Sequence, residues 1–176
     1  MRPSINERAE GRSTVLLRPF APEDWPAVKE IYRQGIETGN ATFQPRVKEW
    51  EEWDSSTLKV CRLVAIVGAR VAGWAALSAV STREAYRGVA EVSVYVAAAA
   101  RGSGVGTGLL NGLVEQSERE GFWTLQAVIF PENTASIALH QRRGFRIVGR
   151  REKLGKMGDR WRDVVLMERR STIAGL

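Results

Sequence analysis

The chain has 176 residues, 44% apolar and 26% charged, with 26 basic and 20 acidic side chains and a net charge of +6, which suits one globular domain with a sizeable core and a polyanionic ligand. One cysteine, Cys61, and one histidine, His140, exclude an internal disulfide and argue against a zinc site, so no metal is expected. No apolar run approaches the roughly twenty residues of a membrane span, residues 1–12 carry no secretory core, and the dispersed arginines come without a helix-turn-helix signal; a cytoplasmic protein that binds neither membrane nor nucleic acid is expected.

In chain order, residues 1–12 read as a flexible tail, 13–170 as a single domain and 171–176 as a C-terminal tail. Thr14 to Arg18 is a short β-rich run closed by Pro19. Ala21-Pro22-Glu23-Asp24-Trp25 opens a helix with acids in its first turn, and Val28, Ile31, Tyr32 and Ile36 continue at helical spacing until Gly39-Asn40. Lys48 to Thr57, with Trp50 and Trp53 at i, i+3, reads as a second short helix that packs an aromatic face. Val60 to Val67 and Val71 to Val80 are apolar runs joined by Gly68-Ala69-Arg70, a β-hairpin with Cys61 in its first run as a small apolar core or sheet residue.

After the polar segment from Ser81 to Gly88 comes Val89 to Val96, a β-branched run carrying Glu91. Four alanines lead to Arg101-Gly102-Ser103-Gly104-Val105-Gly106-Thr107-Gly108, and a helical period then runs to Gly121. Strand, glycine loop and helix make an anion cradle, because glycine lets backbone N–H groups approach a phosphate and the helix N-terminus favours negative charge. There is no Gly-Lys-Ser/Thr, and Leu109 stands where a dinucleotide fingerprint needs its third glycine. Phe122 to Phe130 is a further buried strand broken by Pro131. Asn133-Thr134-Ala135-Ser136 starts a helix ending at Arg143-Gly144, and strands at Phe145 to Arg150 and Trp161 to Glu168 flank the charged turn Lys156 to Arg160.

The pattern Arg101-x-x-Gly104-x-Gly106 resembles the acetyl-CoA pyrophosphate loop of the GNAT N-acetyltransferase superfamily. Four further stretches resemble its phosphinothricin acetyltransferase-like branch. They are Glu37 to Phe43, the strand Glu91 to Val96, Asn133-x-x-Ser136-x-x-Leu139-His140-x-x-x-Gly144-Phe145, and Arg160-Trp161-x-Asp163. One departure is Leu110, where some members carry a tyrosine, and its loss implies a less polar site wall. The resemblance implies an α/β fold of the α+β kind, a mixed twisted sheet of six to seven strands flanked by about four helices. It also implies acetyl-CoA as co-substrate and a small amino-acid acceptor such as phosphinothricin, methionine sulfone or sulfoximine, or arsinothricin. A homodimer and a role in resistance to such compounds are expected with it.

Acetyl transfer to an amine needs the thioester held, the amine neutral, the oxyanion stabilised and the thiolate protonated. Backbone N–H groups of Gly102, Ser103, Gly104, Val105, Gly106 and Thr107 can bind the pyrophosphate, with Arg101 beside them to meet the phosphates. Val94, Tyr95 and Val96 can pair with the pantetheine arm, and the resemblance adds Asn133 and Ser136 on the cofactor side. Glu91, a carboxylate in an apolar strand, is the candidate base, with a strand-end surface acid or a structural ion pair as its alternatives. By family position His140 is a proton donor near the thiolate or a residue that organises the site. Arg83, Tyr86 and Arg87 lead into the Glu91 strand and can grip carboxylate or phosphinate oxygens. Phe43, with Thr38 and Thr42, borders the acceptor by resemblance. Protein N-terminal acetylation and a non-catalytic acyl-CoA-binding module remain open.

Overall fold

A computed structural model describes residues 14–176; the tail expected over 1–12 lies outside them. Seven strands and four α-helices follow in the order β1 (Val15–Pro19), α1 (Trp25–Glu37), α2 (Trp50–Ser56), β2 (Leu63–Val67), β3 (Arg70–Ala79), β4 (Val89–Val96), α3 (Val105–Arg119), β5 (Thr124–Ile129), α4 (Thr134–Gln141), β6 (Arg146–Met157) and β7 (Arg160–Arg170). One mixed sheet runs β1-β2-β3-β4-β5-β7-β6, and only the β4–β5 pair is parallel. This is the expected fold. Among the described residues no helix is long and apolar enough to cross a membrane.

Side-chain alternation along the central strands divides the core into two layers. Ala75 and Leu77 of β3, with Ala90 and Val92 of β4, face α3 through Val105, Leu109 and Leu113. Trp74 and Ala76 face the other way, where Val28, Ile31 and Tyr32 of α1 and Trp53 of α2 cover them. The antiparallel register sets Trp74 opposite Tyr95, Ala76 opposite Ser93 and Ser78 opposite Glu91, so Glu91 lies on the α1/α2 side. The entry to α1 is pinned by Arg18, which donates to both Asp24 oxygens at 2.7 Å. That bonding holds the Asp24 carboxyl below its ordinary range.

Three local expectations are corrected. Cys61 is a buried core residue, one of the two places expected for it, but not a strand residue: β2 begins at Leu63, and Cys61 sits in the bend before it with φ +57°. Burial pushes its thiol up to about 11, so it stays protonated and inert. The first strand of the C-terminal hairpin runs on to Met157, because an irregularity between Arg151 and Gly155 lets it resume pairing with β7. Asp163 holds that irregularity by accepting from the Lys153 amide at 2.8 Å and from Arg150. Leu110 is fully buried in the α3 core layer and is no site wall. Residues beyond β7 turn back onto the domain, with Ser171 donating to Glu118 and Arg170 to the Gly175 carbonyl.

Candidate active site

The parallel pair β4–β5 zips for only three rungs, Val89 with Thr124, Ala90 with Leu125 and Glu91 with Gln126. Beyond Glu91 the strands part. The β5-facing edge of Val92 to Val96 therefore has no ladder partner among the described residues. A cavity of about 340 Å³ opens at this split. Glu91, Ser93 and Tyr95 line it, as do Tyr32 of α1, Trp53 of α2, Trp74 and Ser78 of β3, and Asn133, Ser136 and His140 around α4. Residues from both faces of the sheet meet there because the gap passes through it.

Glu91 is partly buried and makes no ion pair among the described residues, which removes the ion-pair alternative there. Burial alone pushes its carboxyl above the ordinary glutamate range. Proton affinity shifted that way in a cavity is what a base for an ammonium requires. Tyr95 stacks on Trp74 at 4.7 Å and meets Tyr32 edge-on at 5.0 Å, so the wall beside Glu91 is aromatic.

His140 is almost wholly buried, and its Nδ1 lies 2.8 Å from the Ser136 carbonyl oxygen. A carbonyl only accepts, so Nδ1 carries the hydrogen and a neutral ring presents a lone pair at Nε2. Burial lowers the His140 pKa, the Ser136 bond only partly opposing it. Nε2 is itself buried without a partner among the described residues. The resting imidazole is therefore an acceptor at Nε2.

The glycine loop lies between the end of β4 and α3. Gly102 and Gly104 have φ of +77° and +91°, a left-handed geometry that keeps the backbone open ahead of α3. The Gly108 amide is the first to find its helical acceptor, Gly104 O at 2.9 Å. The amides of residues 102–107 have no backbone acceptor among the described residues. A Cβ on Gly106 would stand 3.3 Å from Leu139 and 3.5 Å from Val96, so the loop, α4 and the free end of β4 close on one another here. Uncommitted amides followed by an unpaired strand edge fit the diphosphate and the amide-bearing arm of acetyl-CoA.

Asn133 caps α4, its Oδ1 accepting from the Ser136 amide, and its Nδ2 donates to the Asn40 carbonyl at 3.2 Å. It therefore ties the cofactor side to the loop after α1. Phe43 and Thr42 of that loop line the cavity, and Phe43 meets Phe130 edge-on at 4.8 Å; Thr38 is not in the lining. Arg83, Tyr86 and Arg87 are not brought to the cavity. All three are exposed, and Arg87 lies over the Trp123 ring and beside Glu84. The physical reason is that they sit beyond the zipped end of β4, whereas the split opens past Glu91.

Sequence reasoning also missed residues. Trp74 and Ser78 alternate along β3, but their facing Glu91 and Tyr95 depends on a hairpin register that the sequence does not print. Arg162 of β7 is buried and donates to the Gly39 carbonyl at 2.9 Å and to Asn40 Oδ1 at 2.8 Å, holding the acceptor-side loop. Its only sequence signal was a charge at an inward position of an alternating strand.

The comparisons agree with this geometry. Residues 25–145 match the model of the acetyltransferase (GNAT) family. A phosphinothricin N-acetyltransferase of Alcaligenes faecalis is 34% identical over 164 residues, covering 90% of this chain and 83% of its own. A phosphinothricin acetyltransferase from Sinorhizobium meliloti, solved in complex with AcCoA, superposes with a TM-score of 0.83 at 32% identity, over 92% of this chain and 91% of that one. A ribosomal-protein-alanine N-acetyltransferase from Brucella melitensis gives a TM-score of 0.81 at 32% identity, over 89% of this chain and 99% of its own. With a family model matched over residues 25–145 and a relative 34% identical across most of both chains, on a sheet that splits beside Glu91, the chain belongs to the GNAT family of acetyl-CoA-dependent N-acetyltransferases.

Proposed function

We propose that the protein moves the acetyl group of acetyl-CoA to the α-amino group of a small amino acid of the phosphinothricin, methionine sulfone or sulfoximine, or arsinothricin kind. The observation that carries the proposal is Glu91, a carboxylate of raised proton affinity in a small cavity at the mouth of the β4–β5 split. Arg101 and the amides of residues 102–107 take the diphosphate, and the free edge of Val94 to Val96 pairs with the pantetheine arm. A backbone N–H of that edge polarises the thioester oxygen.

The acceptor enters as an ammonium ion, and Glu91 removes one proton, directly or through water. The nitrogen then attacks, a C–N bond forms and the C–S bond breaks. The nitrogen's second proton passes to His140 Nε2 and from there to the departing thiolate, which makes His140 acceptor first and donor second. The reading includes a cytoplasmic homodimer, which fractionation and sedimentation test.

Thiol release from acetyl-CoA over a panel of amino acids tests the reaction. Glu91→Gln is expected to keep acetyl-CoA affinity and lower kcat by about 10²- to 10⁴-fold, the usual scale for a general base. Near-wild-type turnover of that variant at pH 7 removes Glu91 from the chemistry. The Brucella neighbour makes a second reading concrete, acetylation of a protein N-terminus, and an alanine-first peptide in the same panel decides between them. A cavity of about 340 Å³ favours the small acceptor.

A further inference from the structure

With Arg83 and Arg87 outside the cavity, the positive charge that an amino-acid acceptor needs comes from elsewhere. Among the described residues the cavity lining holds two charged side chains, Glu91 and Lys48, beside a neutral His140. Lys48 precedes α2 and its Nζ donates to Ser56 Oγ at 2.9 Å. It forms no ion pair among the described residues; the nearby Glu52 is held through both oxygens by Arg46, at 2.8 and 2.7 Å. Ser56 and Thr57 add hydroxyls beside it, and the aromatic rings of Tyr32, Trp53, Trp74 and Tyr95 contribute to the remaining lining.

We propose that Lys48 is the acceptor's anion-binding residue, so that the cavity selects a zwitterion with its ammonium at Glu91, its aliphatic stem against the aromatic wall and an oxyanion at Lys48. The inference rests on the small-acceptor reading above. A lysine ammonium offers three donors on a flexible stem, so one position accepts a planar carboxylate or a tetrahedral phosphinate, and a partly buried cation whose neighbouring carboxylate, Glu52, is already held by Arg46 remains able to pair with an arriving anion. The oxyanion is either the α-carboxylate or the side-chain head, and substrate choice separates the two.

The experiment measures acceptor and acetyl-CoA KM for wild type, Lys48→Met and Lys48→Arg. The acceptors are phosphinothricin, methionine sulfone, whose only anion is its carboxylate, and the descarboxy analogue of phosphinothricin, whose only anion is its phosphinate. Lys48→Met is expected to raise the phosphinothricin KM about tenfold to a hundredfold, the scale of a lost charged hydrogen bond, with the acetyl-CoA KM within twofold. Lys48→Arg should recover most of the loss. A parallel rise with methionine sulfone assigns the carboxylate, and a rise with the descarboxy analogue assigns the phosphinate. An unchanged acceptor KM in Lys48→Met, or an equal rise for acetyl-CoA, overturns the role of Lys48 while leaving the reaction standing. Absence of wild-type turnover on every amino acid overturns the parent reading and this one with it.

Discussion

Removing the Arg162 guanidinium should destabilise the domain and loosen the acceptor-side loop together. In Arg162→Met the Gly39 carbonyl and Asn40 Oδ1 lose donors at 2.9 and 2.8 Å. Each charged hydrogen bond contributes about 1.5–3 kcal/mol, and a carbonyl left unpaired is among the costlier losses. The guanidinium also lies 4.0 Å over the Phe130 ring, a contact of about 1–2 kcal/mol when desolvated. Its contact with the half-exposed Glu132 adds little. Allowing for rotation of the Asn40 amide toward water, the net loss is about 3–5 kcal/mol. At roughly 2–4 °C per kcal/mol for a domain of this size, thermal unfolding should begin about 10 °C lower. Arg160→Met is the control, since Arg160 is exposed and only 4.0 Å from the same Glu132, and should move the midpoint by no more than about a degree or two. Calorimetry of both variants, with acceptor KM measured at a temperature where both are folded, makes the comparison. Equal shifts for the two, or an Arg162→Met protein with wild-type stability, would refute the account of Arg162 as the loop's anchor.

Two other outcomes follow from the same geometry. Gly104→Val places a β-branched side chain at φ +91° in the cradle, and isothermal titration should show acetyl-CoA affinity falling at least about tenfold; undiminished binding would dismiss the loop as the diphosphate site. Glu91→Gln should make the protein more stable at neutral pH, because a folded pKa above the unfolded one means that stability is lost as pH rises through it; melts at pH 7 should show the gain, melts below the ordinary glutamate value of 4.5 should not, and a gain unchanged with pH would disprove the burial argument.

Elements with strong local signals were legible in the sequence. The β4 strand, its glycine loop and α3 could be read because β-branched residues, glycines and a helical apolar period follow one another without ambiguity. So could the place of Glu91, an acid within the apolar β4 strand. What the sequence withheld is relational. The turn that takes Cys61 out of β2 depends on a left-handed φ that a cysteine does not advertise. Arg83 and Arg87 lie near Glu91 along the chain, yet the direction in which β4 and β5 part carries the cavity away from them. Lys48 carried no signal beyond being the first residue of the expected second helix, and only the docking of α2 over Trp74 places it in the cavity lining. Arg162 occupies an alternating strand position that would ordinarily hold an apolar residue.

The short zipper between β4 and β5 has a consequence for stability as well as for chemistry. An unpaired strand edge normally invites association with other chains, and proteins hide or charge such edges. Here the open edge lies inside the sheet, flanked by β3 on one side and by the diverging β5 on the other, so another protein's strand has no approach to it. A thin, extended molecule carrying amides can still enter and continue the ladder from Val92 onward. On the binding mode proposed above, the co-substrate finishes a secondary structure that the polypeptide leaves incomplete. Amides along the end of β4 should exchange with solvent faster than those of Val89 to Glu91 in the free protein and slow when acetyl-CoA is bound. By the same proposal the sheet should be most rigid when loaded and loosen at its centre each time the product thiol leaves.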